Sequence, residues 1–149
     1  MKTWWVPFAV VGVLVGAWWV SGPHASPPPA GHLIAIQRDA LLNLASIAFE
    51  EGKLDEAESS LLMAQGYDPN NLDVKSGLAT VQMARACTEK DPEIKKAIMG
   101  KVIRDYLDVA ESRLNNPQDW QRLSAAFNNV GMLEEARVAM EQALKMGGS

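Results

Sequence analysis

Apolar side chains recur at helical spacing in two stretches of this chain, and a single glycine divides each stretch. Leu41, Leu44, Ala45 and Ala48 fall at i, i+3, i+4 and i+7, the spacing of one helix face. Beyond Gly52, Leu54, Ala57, Leu61 and Ala64 trace a second helical face. Glycine accepts the left-handed conformation that ends a helix, so Gly52 marks a turn between two helices. Asp55 and Glu56 then sit in the first turn of the second helix, where carboxylates suit the positive end of the dipole. Small residues at Ala45, Ala57 and Ala64 let the two axes approach closely, and Pro69 closes the unit because proline cannot continue a helix interior. The pattern predicts helices from around residues 31–34 to Glu51 and from Asp55 to Gly66.

The phrase Gly52-Lys53-Leu54-Asp55-Glu56-Ala57 returns as Gly131-Met132-Leu133-Glu134-Glu135-Ala136. Around it the spacing predicts helices over Pro117–Val130 and Leu133–Met146. Leu72–Cys87 and Pro92–Leu114 read as two helices between the copies. Asp91-Pro92 and Asn116-Pro117 open their helices with a capping side chain followed by proline at the first helical position. Ile94, Ile98, Val102 or Ile103, Tyr106, Val109 and Ala110 form the apolar stripe of the fourth helix. No glycine stands between the third and fourth helices at the place of Gly52 and Gly131.

The stretch Arg38–Asn71, with its glycine hinge, small residues and Asp68-Pro69-Asn70-Asn71 ending, resembles the tetratricopeptide repeat, a 34-residue helix-turn-helix unit. Pro117–Met146 resembles it again, with Trp120, Leu123, Ser124, Phe127, Ala136 and Ala143 at the signature places. Leu41 and Ala48 stand where Trp and Tyr are frequent, and keep the site apolar. Gly52 and Gly131 are 79 residues apart, two 34-residue periods plus 11. A middle repeat with an insertion is therefore expected, its extra length held in the fourth helix. The resemblance implies an all-α fold, a solenoid of about three helix pairs.

The resemblance also implies a concave protein-binding groove lined by the first helix of each pair. Carried across by spacing, that lining is Asp39, Leu42, Ser46, Phe49 and Glu50 from the first pair. The middle pair contributes Asp73, Ser76, Thr80, Met83 and Ala84. Gln118, Gln121, Ala125, Asn128 and Asn129 come from the third, with Arg122 the one cation nearby. Such a lining lacks the cluster of Lys, Arg and Asn with which chaperone-binding members of the family hold a terminal carboxylate. The closing helix has no polar capping helix after it, so Val138, Met140 and Met146 are expected to be partly exposed, open to another subunit or a second copy.

Ahead of the repeats, residues 3–20 carry no charge, and at 1.5 Å per residue they reach roughly 27 Å, near the thickness of a bilayer core. Trp4-Trp5 and Trp18-Trp19 bracket the run as interfacial belts do, and Gly12 and Gly16 form a GxxxG helix-packing pattern. The expected organisation is therefore one N-terminal transmembrane helix (1–22), a Pro-rich linker (23–31) and a helical domain (32–149). The competing reading is a cleaved signal peptide. It is less favoured because Pro23 and Pro28 occupy the third place before the candidate cleavage sites. Lys2 precedes the span and no Lys or Arg follows until Arg38, which keeps the N-terminus cytoplasmic and sends the repeats outward, in a bacterium to the periplasm.

Composition then narrows the function. The net charge of −4, with Lys2 the sole charge among the first 31 residues, argues against nucleic acid as a partner. Cys87 is the single cysteine, which excludes an internal disulfide; its apolar helical setting predicts a buried side chain. The two histidines, His24 and His32, lie in or beside the linker, far from any acid–base partner in sequence. No motif for a metal, a phosphate or a nucleophile is present, so neither an enzyme nor a cofactor is expected. The expected work is protein–protein contact, as a scaffold or assembly subunit of a membrane complex, or alternatively as a chaperone-like factor for periplasmic clients.

Overall fold

Six helices follow one another: α1 (Ala30–Glu50), α2 (Leu54–Tyr67), α3 (Leu72–Thr88), α4 (Pro92–Ser112), α5 (Pro117–Asn129) and α6 (Leu133–Gly147). They belong to a computed structural model that describes residues 30–113 and 115–147. There is no strand among the described residues. The predicted transmembrane helix lies outside them, with Trp4, Trp5, Gly12, Gly16, Trp18 and Trp19. No helix among the described residues is long and apolar enough to cross a membrane.

Helices pair as α1–α2, α3–α4 and α5–α6, and the pairs stack through α2–α3 and α4–α5. The first helices also touch along the stack, α1 with α3 and α3 with α5, whereas α2, α4 and α6 have no such mutual contacts. The stack therefore curves toward the side of α1, α3 and α5, an arrangement of helix pairs in the manner of an α-solenoid.

Both glycine turns are built alike. Gly52 and Gly131 have φ of +75° and +78°, and they are the only positive-φ residues among those described. In the first turn the Gly52 N–H donates to the Phe49 carbonyl at 3.0 Å and the Lys53 N–H to the Ala48 carbonyl at 2.9 Å. In the second, Gly131 donates to Asn128 at 3.1 Å and Met132 to Phe127 at 3.0 Å. These two bonds satisfy carbonyls that a helix end leaves without partners, the Schellman arrangement. The middle pair has Ala86 where a glycine would stand, so α3 does not stop there and continues to Thr88. Its successor begins at a different signal: the Asp91 carboxylate accepts from the N–H groups of Glu93 and Ile94 at 2.9 and 3.2 Å, with Pro92 at the first position. Asn71 and Asn116 cap α3 and α5 in the same way.

The core is built of small residues and a few larger ones. Ala45, Ala48, Ala57, Leu61 and Val81 close the first junction, and Ala79, Ala86, Met99, Val102, Tyr106, Leu123 and Ala126 close the second. Ser124 takes a place that Ala45 and Ala79 fill in the other pairs, and its hydroxyl is satisfied by the Ala136 carbonyl at 2.7 Å. The extra residues of the middle pair lengthen α4, whose buried side chains begin at Met99, leaving Ile94 exposed ahead of them. Arg38 in α1 pairs with Asp68, the cap of α2, at 3.0 Å, and the Asn71 amide, followed by Arg38, holds the Asp68 carboxyl below its usual range.

Three expectations need correction. Leu44, read as part of a helix face shared with Ala45 and Ala48, is 55% exposed, because no other helix among the described residues covers that side of α1. Leu33, Ile34 and Ile36 are exposed as well. Cys87 is exposed rather than buried: in the last turn of α3 it is Ala86 that packs against Met99 and Val102, while the Cys87 thiol lies on another side, near Asn129. Helix α1 begins at Ala30, directly after Pro29, so the last two residues of the expected linker are helical.

The turns give a direct prediction. Gly52→Ala and Gly131→Ala should each cost about 1–2 kcal/mol, the penalty of placing a Cβ in the left-handed region. Gly100→Ala, in the middle of α4 with only the flexible end of Arg104 nearby, should instead stabilise by about 0.5–1 kcal/mol. Denaturant midpoints of the three variants check both signs.

Candidate functional site

A cleft of about 250 Å³ opens on the inner face between α1 and α3, with one contribution from α5. Leu42, Ser46 and Phe49 come from α1, Asp73, Ser76 and Thr80 from α3, and Arg122 closes one end from α5. Six of the residues that spacing assigned to a groove, together with the nearby cation Arg122, thus share one surface. Its floor is apolar, made by Ala45, Leu61 and Val81 with Gly77. A Cβ on Gly77 would stand 2.7 Å from a Leu61 methyl, so the glycine is what allows α2 and α3 to meet so closely beneath the cleft.

The polar end of the cleft rests on a buried acid. Asp119, with no exposed surface, accepts from the Arg122 guanidinium at 3.0 Å and from the Asn116 amide at 2.9 Å, while Arg113 lies 3.8 Å away. Arg113 also pairs with Asp73 at 2.7 Å. Arg122 reaches on to the Ser76 hydroxyl at 3.3 Å. Two acids and two guanidinium groups therefore neutralise one another, and Asp119 sets the direction of Arg122 across the cleft. Below them the Thr80 hydroxyl donates to the Ser76 carbonyl at 2.9 Å and so accepts from the buried Tyr106 hydroxyl at 2.8 Å. Burial pushes the Tyr106 pKa above its ordinary value, against the charge of Arg122, which favours the anion.

The remaining spacing-derived residues stand elsewhere. Asp39 is exposed and pairs with Arg38 at 2.8 Å. Glu50, Gln118 and Gln121 are exposed away from the cleft lining. Met83 packs against the core of the second junction. Asn128 lines a different, outward groove with Leu133, Met140 and Leu144. On α5 the residue that reaches the cleft is Arg122 and not its neighbour Gln121, because the bonds to Asp119 and Ser76 hold its long side chain toward α3. Spacing alone did not reveal Gly77, Leu61, Asp119 or Tyr106 as parts of the site. Asp119 carried a signal: it fills the place taken by Val74 in α3 and Ala40 in α1, where an acid has to be paired.

In chemical terms the arrangement offers an apolar well for one side chain. Hydroxyls surround it, those of Ser46 and Ser76 with a proton to donate and that of Thr80 as an acceptor, with one oriented guanidinium at its end. Among the described residues no group of His, Cys, Asp and Glu is placed to hold a metal ion.

Residues 39–71 match the tetratricopeptide repeat family. No curated protein matches the chain.

Two outcomes are expected from this geometry. Asp119→Ala leaves Arg122 and Arg113 without their shared partner and should cost about 3 kcal/mol, the low end for a broken buried pair, because both arginines keep some solvent. Tyr106→Phe should cost about 1 kcal/mol at neutral pH. The raised Tyr106 pKa also has a pH signature. The folded state keeps the neutral phenol while the unfolded chain ionises near pH 10, so its contribution holds below about pH 10 and is lost as pH rises above it. The alkaline loss of stability should therefore be smaller in Tyr106→Phe, as read by unfolding curves between neutral and alkaline pH.

Proposed function

Because residues 39–71 are a tetratricopeptide repeat, a unit whose general work is protein–protein contact, we propose that this protein is a scaffold or assembly subunit that holds an extended segment of a partner protein in the α1–α3 cleft. The observation that carries the reading is the cleft's make-up. At about 250 Å³ it is smaller than the usual pocket for a whole small ligand and suits one large side chain of a bigger partner. Leu42, Phe49, Leu61 and Val81 receive that side chain, while the hydroxyls of Ser46 and Ser76 meet the unpaired N–H and C=O groups of an extended backbone and that of Thr80, its proton held by the Ser76 carbonyl, accepts from an N–H. Arg122 takes a carbonyl or a carboxylate of the partner.

In the same reading residues 1–22 anchor the chain in the bacterial inner membrane with the N-terminus cytoplasmic. The Pro-rich residues 23–29 carry the helices into the periplasm, where the partner belongs to a membrane complex. Support comes from the uncharged run over residues 3–20, its flanking tryptophan pairs and the lone Lys2 before it.

A photo-crosslinking residue at Ser46 in the full-length protein, compared with one at exposed Ser59 on α2, tests the cleft. One partner captured in near-stoichiometric amount from Ser46 is expected, with Leu42→Asp and Arg122→Glu each weakening capture about tenfold or more. Many clients at low yield would favour the chaperone-like alternative, and capture that is equal from Ser59 or unaffected by both substitutions contradicts the cleft. Resistance to alkaline extraction with an intact N-terminus is expected of the anchor; a mature chain beginning near Ser26 or Gly31 contradicts it.

A further inference from the structure

The two ends of the helix stack carry faces that the interior buries. In α3, Leu78 and Val81 pack against the first pair, and Val81 is 1% exposed. The residues 34 positions earlier, Leu44 and Ile47 of α1, occupy the same side of their helix and are 55% and 54% exposed. The matching places in α5, Leu123 and Ala126, are buried again. At the opposite end the comparison runs through α2 and α6, whose residues correspond 79 positions apart. Leu54 and Leu61 of α2 serve the junction with α3. Their counterparts in α6, Leu133 and Met140, line an open groove with Leu144, and Leu133 and Leu144 are each 67% exposed.

Charge follows the same correspondence. At the α2–α3 junction Glu58 pairs with Arg85 at 2.7 Å, and Glu58 also accepts from Gln82 at 2.7 Å. The counterpart of Glu58 in α6 is Arg137, and the counterpart of Arg85 is Glu51, the residue just past the end of α1. At the Glu58 place the acid and the base have exchanged positions, so a Glu51 brought onto α5–α6 meets the opposite charge of Arg137; Arg85 also pairs with Asp55 at 2.7 Å, and the counterpart of Asp55, Glu134, carries the sign of Glu51 but is itself neutralised by Arg137. The present partners of these two residues, Lys53 for Glu51 and Glu134 and Glu141 for Arg137, are exposed neighbours that cost little to release.

We propose that a second copy of this chain seats its α1 on the α5–α6 face of the first, head to tail, repeating between molecules the junction that α3 makes with α1–α2. Ile47 and Leu44 enter the groove of Leu133, Met140 and Leu144, and Glu51 pairs with Arg137. The contact uses different surfaces on the two copies, so it does not close on itself and adds molecules one after another. The inner cleft between α1 and α3 stays open in such an assembly.

Sedimentation of the full-length protein in excess detergent micelles, over a range of concentrations, tests the proposal. A ladder of species growing with concentration is expected. Ile47→Glu blocks one end and Leu144→Glu the other, each lowering association about tenfold or more. Mixed together, these two variants should form a discrete one-to-one dimer and nothing larger, which also shows that both are folded. Glu51→Arg should weaken association, and adding Arg137→Glu to it should restore it. A wild-type chain that stays a single species, association that survives both blocking substitutions, or a mixture that remains monomeric overturns the proposal.

Discussion

A helical hairpin has more apolar surface than its two helices cover between themselves, and the rest of this structure follows from where that surplus goes. The first pair turns Ala45, Ala48 and Ala57 inward and still presents Leu61 and Leu54 to a neighbour. Only α3, arriving with Leu78 and Val81, covers them. The second junction repeats the solution with Met99, Val102, Tyr106 and Leu123. Burial of this kind is worth roughly 25 cal/mol for each Å² removed from water, and no single pair collects it alone. The glycine turns matter because they hold the two helices of a pair close enough for alanine-sized contacts.

The cleft is a by-product of the same stacking. Because α1 and α3 touch and α2 and α4 do not, the first helices crowd to one side and leave a shallow inner surface. Its floor is the junction core itself, where the Leu61 side chain packs directly against Gly77. The polar end has a different origin. Asp119 stands at a place where the other pairs carry apolar side chains, and its burial requires the two arginines and Asn116 around it. One consequence is that Arg122 lies across the cleft in a fixed direction rather than out in solvent. An oriented guanidinium gives up less conformational freedom on binding than a free one.

Helix boundaries, caps and turns were legible because each rests on a local rule. Asp91-Pro92 and Asn116-Pro117 begin helices, Gly52 and Gly131 end them, and the observed ends fall within two residues of the expected ones except at the start of α1. What a helix face meets is not a local property. Leu44 and Leu78 carry the same periodic signal, yet one is exposed and the other packed, since among the described residues only α3 of these two helices has a pair in front of it. The cleft shows the same division. Spacing located Leu42, Ser46, Phe49, Asp73, Ser76 and Thr80 on α1 and α3, where the 34-residue period is undisturbed. It placed Gln118, Gln121 and Asn128 there as well, beyond a pair lengthened by the insertion, where the side-chain bonds of Arg122 and not the period decide what reaches the cleft.

The account depends on the junctions between pairs, and nuclear Overhauser contacts in the full-length protein measure them most directly. Cross-peaks between the Gly77 α-protons and the Leu61 methyls, and between the Ser76 and Arg122 side chains, are the expected result, since these residues join α2 to α3 and α3 to α5. Intact contacts within each hairpin, with neither of those cross-pair contacts present, would contradict it.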